Sequence, residues 1–309
     1  MSPRFVAWCV LNRENVPAIC PRDLSPGVFS TGEMSRDMSP RLVASCVLTL
    51  RHVCSSNHGP RTHAESEQFV FKTVECKQVY DIVSSMPTNK SPGIDKITMR
   101  VIKDSLPAIL PTITSIINAT FVTGTFPCAW KMAEITPIPK ESDHEQPNNS
   151  RPISLLPVLS KICEKTALNQ LIPYLDSKER MSAEQSGNRR FHSTETSLIE
   201  TTDAIFNAID KKKVTAVVLL DMSKAFDSLD HKILMLKLQD IGMSSAALSW
   251  FSSYLSERYQ AVRINSALSD KLVVHSGVPQ GSILGPILFS IYVNDLPTIP
   301  QNCSSKILC

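Results

Sequence analysis

The stretch VVLLDMSKAFDSLDHKILMLKL, Val217 to Leu238, constrains this chain most. Branched apolar residues run straight into a carboxylate, Asp221. The run VTAVVLL at 214–220 is too short for a buried helix and reads as a buried strand. Five residues past Asp221 comes Phe226, followed by Asp227, Asp230 and His231. From Leu229 the apolar spacing turns helical and closes at Gly242, a residue that ends helices well. A strand that delivers an acid at its C-terminal end suits a hard divalent cation, which takes one or two carboxylates plus phosphate oxygens. Taken alone, the pattern is better explained by an acid that caps a strand-to-helix turn.

A second stretch changes that balance. SGVPQGSILGPILFSIYVNDLP, 276–297, joins a Gly-rich turn to an apolar helix with Pro286 in its first turn. Gly277 and Gly281 bracket Gln280 on a loop where backbone can approach a ligand closely. The helix that follows offers an N-terminus favourable to phosphate. A plain tight turn before a core helix is the competing reading.

The rest of the chain is compatible with a globular protein of more than one subdomain: 309 residues, 42% apolar and 20% charged. A net charge of +3 is too small to argue for nucleic acid unless the fold clusters the basic groups. Nine scattered cysteines form no CxxC pair and no zinc spacing, and read as reduced thiols in an intracellular protein. No apolar run reaches the roughly 18–20 residues of a membrane span, so no membrane partner is expected.

Residues 1–66 differ in texture, with seven Arg and no Lys. They contain a repeat: MSPRFVAWCVL at 1–11 and MSPRLVASCVL at 38–48 agree at nine of eleven positions. Two copies are too few for a solenoid. A poorly ordered extension is expected here. From Phe69 the texture becomes domain-like. Helices are expected over 76–86, 97–106, 110–124, 194–213, 229–242 and 283–295. A strand is expected over 133–138, then a loop leading into a long helix across 153–175, a hairpin across 259–264 and 272–275, and a strand beginning at Ser305.

In order along the chain, these stretches and four more resemble the reverse transcriptases of LINE-type retrotransposons, those without long terminal repeats. The four are NKSPGID at 89–95, PIPK at 137–140, NNSRPISLLPVLSKICEK at 148–165 and QSGNRRFHST at 185–194. The resemblance covers about Phe69 to Cys309, and the Jockey-like and chicken-repeat-like clades match best. It implies an α+β right-hand polymerase fragment, with fingers at about 67–213 and an incomplete ferredoxin-like palm at about 214–309.

The resemblance also assigns roles. Asp221 matches the catalytic carboxylate that binds both Mg²⁺ ions, and the carbonyl of Met222 matches a further metal ligand. Phe226 matches the aromatic gate that excludes a ribose 2′-hydroxyl. Lys140 and Arg151 match the residues that grip the incoming triphosphate, and Gln280 and Gly281 match the nucleotide-binding turn. Lys161 and Lys165 fit either template contact or a solvated helix face. The implied partners are an RNA template, a DNA primer and deoxynucleoside triphosphates, and the implied place is intracellular, in the nucleus. Composition does not indicate an oligomeric state.

The family's next motif, Tyr/Phe-Ala-Asp-Asp, would begin where this sequence reaches Cys309. The expectation is therefore a reverse transcriptase domain cut before its paired aspartates, without thumb and inactive as given. A non-catalytic nucleic-acid-binding remnant and a product without function are the alternatives.

Overall fold

The computed structural model describes residues 4–11, 64, 67–139, 149–187, 189, 192–221, 224–298 and 304–308. Along the chain these form β1 (Arg4–Leu11), α1 (Cys76–Ser85), α2 (Met99–Thr123), β2 (Met132–Pro139), β3 (Ser150–Leu155), α3 (Val158–Ser177) and α4 (Thr194–Asp210). There follow β4 (Val214–Asp221), α5 (His231–Asp240), α6 (Ser245–Leu255), β5 (Arg258–Ile264), β6 (Ala267–Leu268), β7 (Leu272–Val274), α7 (Gly285–Tyr292) and β8 (Ser304–Leu308). The class is mixed α and β, as expected. The chain divides into two compact units.

The larger unit spans His58–Met181 and Lys224–Tyr292. Its sheet runs β3-β2-β5-β6, with β7 also on β5. β2 pairs antiparallel with β3 and parallel with β5. Residues 153–155, expected to be loop, are the end of strand β3, Ser150–Leu155. Pro152 masked the strand in the sequence, since proline cannot donate to a ladder; it is tolerated because β3 lies at the sheet edge.

The expected break between 106 and 110 is also absent. Met99–Thr123 is one helix of 25 residues with Pro107 and Pro111 inside it. Each internal proline costs about 3 kcal/mol. Burial of Ile102, Leu106, Ile113, Ile117 and Phe121 offsets that cost, at about 1.5–3 kcal/mol for each large apolar side chain. Thr98 caps the start, and Gly124 ends the helix at φ +64°. Length and composition would let α2 cross a membrane, but here it packs on α1, α3 and α6. An aromatic cluster fills that junction: Phe71 stacks on Phe121 at 4.4 Å, and Trp250 stacks on Tyr254 at 5.7 Å. The Trp250 indole N–H donates to Thr120 Oγ1 at 3.2 Å.

The second unit comprises Met1–Asn57, Ser182–Ser223 and Val293–Cys309. Its sheet runs β4-β1-β8, with β1 antiparallel to both neighbours. The first copy of the N-terminal repeat is thus the central strand, placing Arg4 opposite both Asp221 and Leu308. Apart from Ala64, the rest of 1–66 lies outside the described residues. β4 was expected to be buried, but it lies at the edge of these three strands, with Val217 43% exposed. Of the four apolar positions at helical spacing on α4, Leu198, Phe206 and Ile209 are exposed and Ile205 is half-buried. The helix instead buries the small residues Ser197 and Ala208.

Candidate nucleotide site

The larger unit ties three distant sequence stretches together by backbone. The amide of Val278 donates to the carbonyl of Phe226 at 2.8 Å, and the amide of Gly277 to that of Leu229 at 2.7 Å. Gly277 has φ +82°, and a Cβ there would come within 2.7 Å of Phe226 O and Asp227 Cα. Glycine is therefore required for this approach. The amide of Ser154, in β3, donates to the carbonyl of Gln280 at 2.7 Å. Gly281 has φ +130°, and a Cβ on it would come within 2.7 Å of Ser154 O. The Gly-Val-Pro-Gln-Gly turn is thus pressed against the Phe226–Asp227 segment at one end and against β3 at the other.

Phe226 is half-buried, its ring 5.5 Å from that of Phe289 on α7. Behind it Asp230 caps α5, its Oδ1 accepting from the amides of Lys232 at 2.8 Å and Ile233 at 3.1 Å. The His231 Nε2 lies 2.7 Å from Gly277 O. The third acid and the histidine of the opening motif therefore hold the helix start and the glycine turn in place.

Arg151 is exposed on β3, paired with Ile138 of β2. Lys140 follows directly on β2 but lies outside the described residues, as does Met222. Asp221 is the last residue of β4, in the other unit. The described geometry thus gathers Phe226, Gln280, Gly281 and the strand carrying Arg151. Lys161 and Lys165 are half-buried on α3. Burial lowers the pKa of Lys161, which does not fit a solvated helix face.

Beside the turn is a cleft lined by Lys131, Ser154, Asp227, Arg258, Gly277 and Gln280, among others. Among the described residues, the buried Oε1 of Gln280 has no hydrogen-bond partner. Lys131 is only 3% exposed, and burial holds its ammonium below the usual lysine range, with nearby Glu257 pulling the other way. Sequence reading missed Lys131, Ser154 and Glu164 as members of this neighbourhood. Only the position of Ser154 within Arg-Pro-Ile-Ser, three residues after Arg151, pointed toward it. Burial of a lysine or a glutamate leaves no mark in periodicity.

The family model described as reverse transcriptase (RNA-dependent DNA polymerase) matches residues 138–309. The chain is 34% identical, over 227 residues, to the probable RNA-directed DNA polymerase from transposon BS of Drosophila melanogaster, covering 73% of this chain and 25% of that protein. It is 33% identical to the RNA-directed DNA polymerase from mobile element jockey of the same fly, over 73% of this chain and 25% of the relative. A Xenopus laevis relative, the transposon TX1 uncharacterized 149 kDa protein, is 27% identical over 67% of this chain and 16% of its own length. The chain spans about a quarter or less of the length of these curated relatives. The family match over residues 138–309 and the identity to these transposon polymerases show that this chain belongs to the reverse transcriptase family, as a domain of the LINE-type retrotransposon kind.

Proposed function

We propose that this chain supplies the fingers and part of the palm of an RNA-directed DNA polymerase, and that the turn at Gly277–Gly281 receives a deoxynucleoside triphosphate. The observation that carries the reading is the backbone bonding of that turn to Phe226 on one side and to β3 on the other. Arg151 grips the triphosphate; its planar fork makes paired bonds to phosphate oxygens that lysine cannot copy. Lys140 adds a second positive charge. Phe226 closes the space a 2′-hydroxyl would need. The unpartnered Oε1 of Gln280 accepts a donor from the nucleotide, which removes an otherwise costly buried acceptor. The template is RNA and the primer is DNA with a free 3′-hydroxyl.

The reverse transcriptase family generally uses divalent metal ions. Asp221 and the carbonyl of Met222 are the residues that would hold Mg²⁺ here. Among the described residues no three His, Cys, Asp or Glu side chains gather into a metal-sized group. The part of this chain is to bind, orient and select the nucleotide.

Equilibrium binding of a fluorescent deoxynucleoside triphosphate to the chain, with and without Arg151→Ala and Gln280→Ala, tests the reading. Each charge-assisted hydrogen bond lost is worth about 1.5–3 kcal/mol, so Arg151→Ala is expected to weaken binding about tenfold or more. Equal affinity in wild type and both variants would remove the turn and β3 from the nucleotide site.

A further inference from the structure

Glu164, on α3, is fully buried. Glutamates are almost never fully buried unless paired. Its Oε2 accepts from the amides of Ile283 at 2.7 Å and Leu284 at 3.2 Å, and its Oε1 accepts from Ser160 Oγ at 2.9 Å. The opposite charge comes from Arg258, 2% exposed. Arg258 Nη1 donates to Tyr254 O at 2.8 Å, and its guanidinium sits 4.7 Å from the Tyr254 ring centroid. Burial raises the pKa of Glu164, with Arg258, Ser160 and the two backbone donors pulling it down.

The partners of Glu164 are the two amides that lead into α7, those of Ile283 and Leu284. A helix leaves its first four N–H groups without internal acceptors. Here Ser282 N donates to Pro279 O at 3.0 Å, Ile283 N and Leu284 N donate to Glu164, and Gly285 N donates to Ser282 Oγ at 3.0 Å. The carboxylate therefore sits at the positive end of the helix. Gln280 and Gly281 lie between two anchors, Ser154 N on Gln280 O upstream and Glu164 downstream.

We propose that Glu164 is a positioning residue for the nucleotide turn, holding Gln280 and Gly281 in place through the amides of Ile283 and Leu284. The inference rests on the nucleotide reading above and names what fixes that turn. A neutral glutamine at 164 keeps an acceptor oxygen. It also adds two donors where the neighbouring groups already donate, and it removes a negative charge that interacts with the buried Arg258.

The test uses the whole chain and two readouts: affinity for a fluorescent deoxynucleoside triphosphate, and hydrogen exchange resolved by peptide. For Glu164→Gln the expected result is about tenfold weaker binding, the equivalent of one charged hydrogen bond. Faster exchange should be confined to peptides covering 280–285, with α2 protected as before. Ser160→Ala removes a single hydroxyl and should weaken binding about threefold, with the same local change in exchange. If Glu164→Gln does not fold, Ser160→Ala decides. Unchanged affinity and exchange in the folded variants would overturn the inference. So would faster exchange throughout with normal affinity per folded molecule, which is what a merely structural glutamate gives. A wild-type chain that binds no nucleotide would overturn the underlying reading, and the inference with it.

Discussion

The carbonyl of Gln280 accepts the amide of Ser154 at 2.7 Å, so a residue of the glycine turn is stitched to a strand 126 positions earlier in the chain. That bond leaves no room for a side chain at Gly281, and Gly277 is equally crowded against Phe226 and Asp227.

Substituting either glycine tests how tight the turn is. Gly277→Ala combines a positive φ with a Cβ 2.7 Å from backbone that cannot swing away. It is expected to destabilise the larger unit by more than the ~1–3 kcal/mol of left-handed strain alone. Gly281→Ala should behave similarly. Urea melts should show a clear fall in midpoint for both. A midpoint within error of wild type would contradict the close approach.

Asp230 is the N-cap of α5. Asp230→Ala should cost ~1 kcal/mol of stability, and Asp230→Ser much less. Thermal melts of the two variants check this. Equal melting points for Ala and Ser would remove the cap assignment.

Cysteine reactivity should split sharply. Cys163 is buried, and burial pushes its thiol up to about 12, while Cys76 and Cys128 are exposed. In the native chain at pH 8 a thiol reagent should label Cys76 and Cys128 and spare Cys163. The raised pKa also has a sign: ionisation is harder in the folded state than in the unfolded one. The stability tied to this thiol is whole below about pH 9 and is lost as pH rises toward 12. Cys163→Ala should flatten that alkaline decline in a pH series of melts.

Glu134 should report at the other end of the pH scale. Arg263, first, and Lys96 hold its carboxyl below the usual range, with contacts of 2.7 Å from each. A depressed carboxylate contributes stability above its unfolded pKa, and that contribution is lost as pH falls through the lower folded value. Stability of the wild type should therefore drop on acidification below about pH 4.5, and Glu134→Gln should remove part of that slope. Identical acid profiles for the two proteins would show the ion pair carries no weight.

The sequence made some of this legible. A run of branched apolar residues ending in an acid announced β4 and its terminal Asp221, and glycines flanking Pro-Gln announced the turn. Prolines misled twice. Pro107 and Pro111 suggested two helices where packing holds one, and Pro152 hid an edge strand. Of the apolar positions at helical spacing in α4, Ile205 is half-buried while Leu198, Phe206 and Ile209 are exposed. Glu164 was invisible as a site residue, since a glutamate on a helical stretch signals solvent unless its partners are known. Its spacing from Ser160, one helical turn, was the one local hint.

The central claim is that the turn and Phe226 form one pocket for a deoxynucleotide. Competition binding of deoxy- against ribonucleoside triphosphates, on an RNA template annealed to a DNA primer with Mg²⁺, tests it most directly in the wild type and in Phe226→Ala. The account predicts that the wild type prefers the deoxynucleotide, and that Phe226→Ala binds both sugars about equally while keeping its deoxynucleotide affinity within about threefold. A wild type without sugar preference, or a preference that survives Phe226→Ala unchanged, would contradict it.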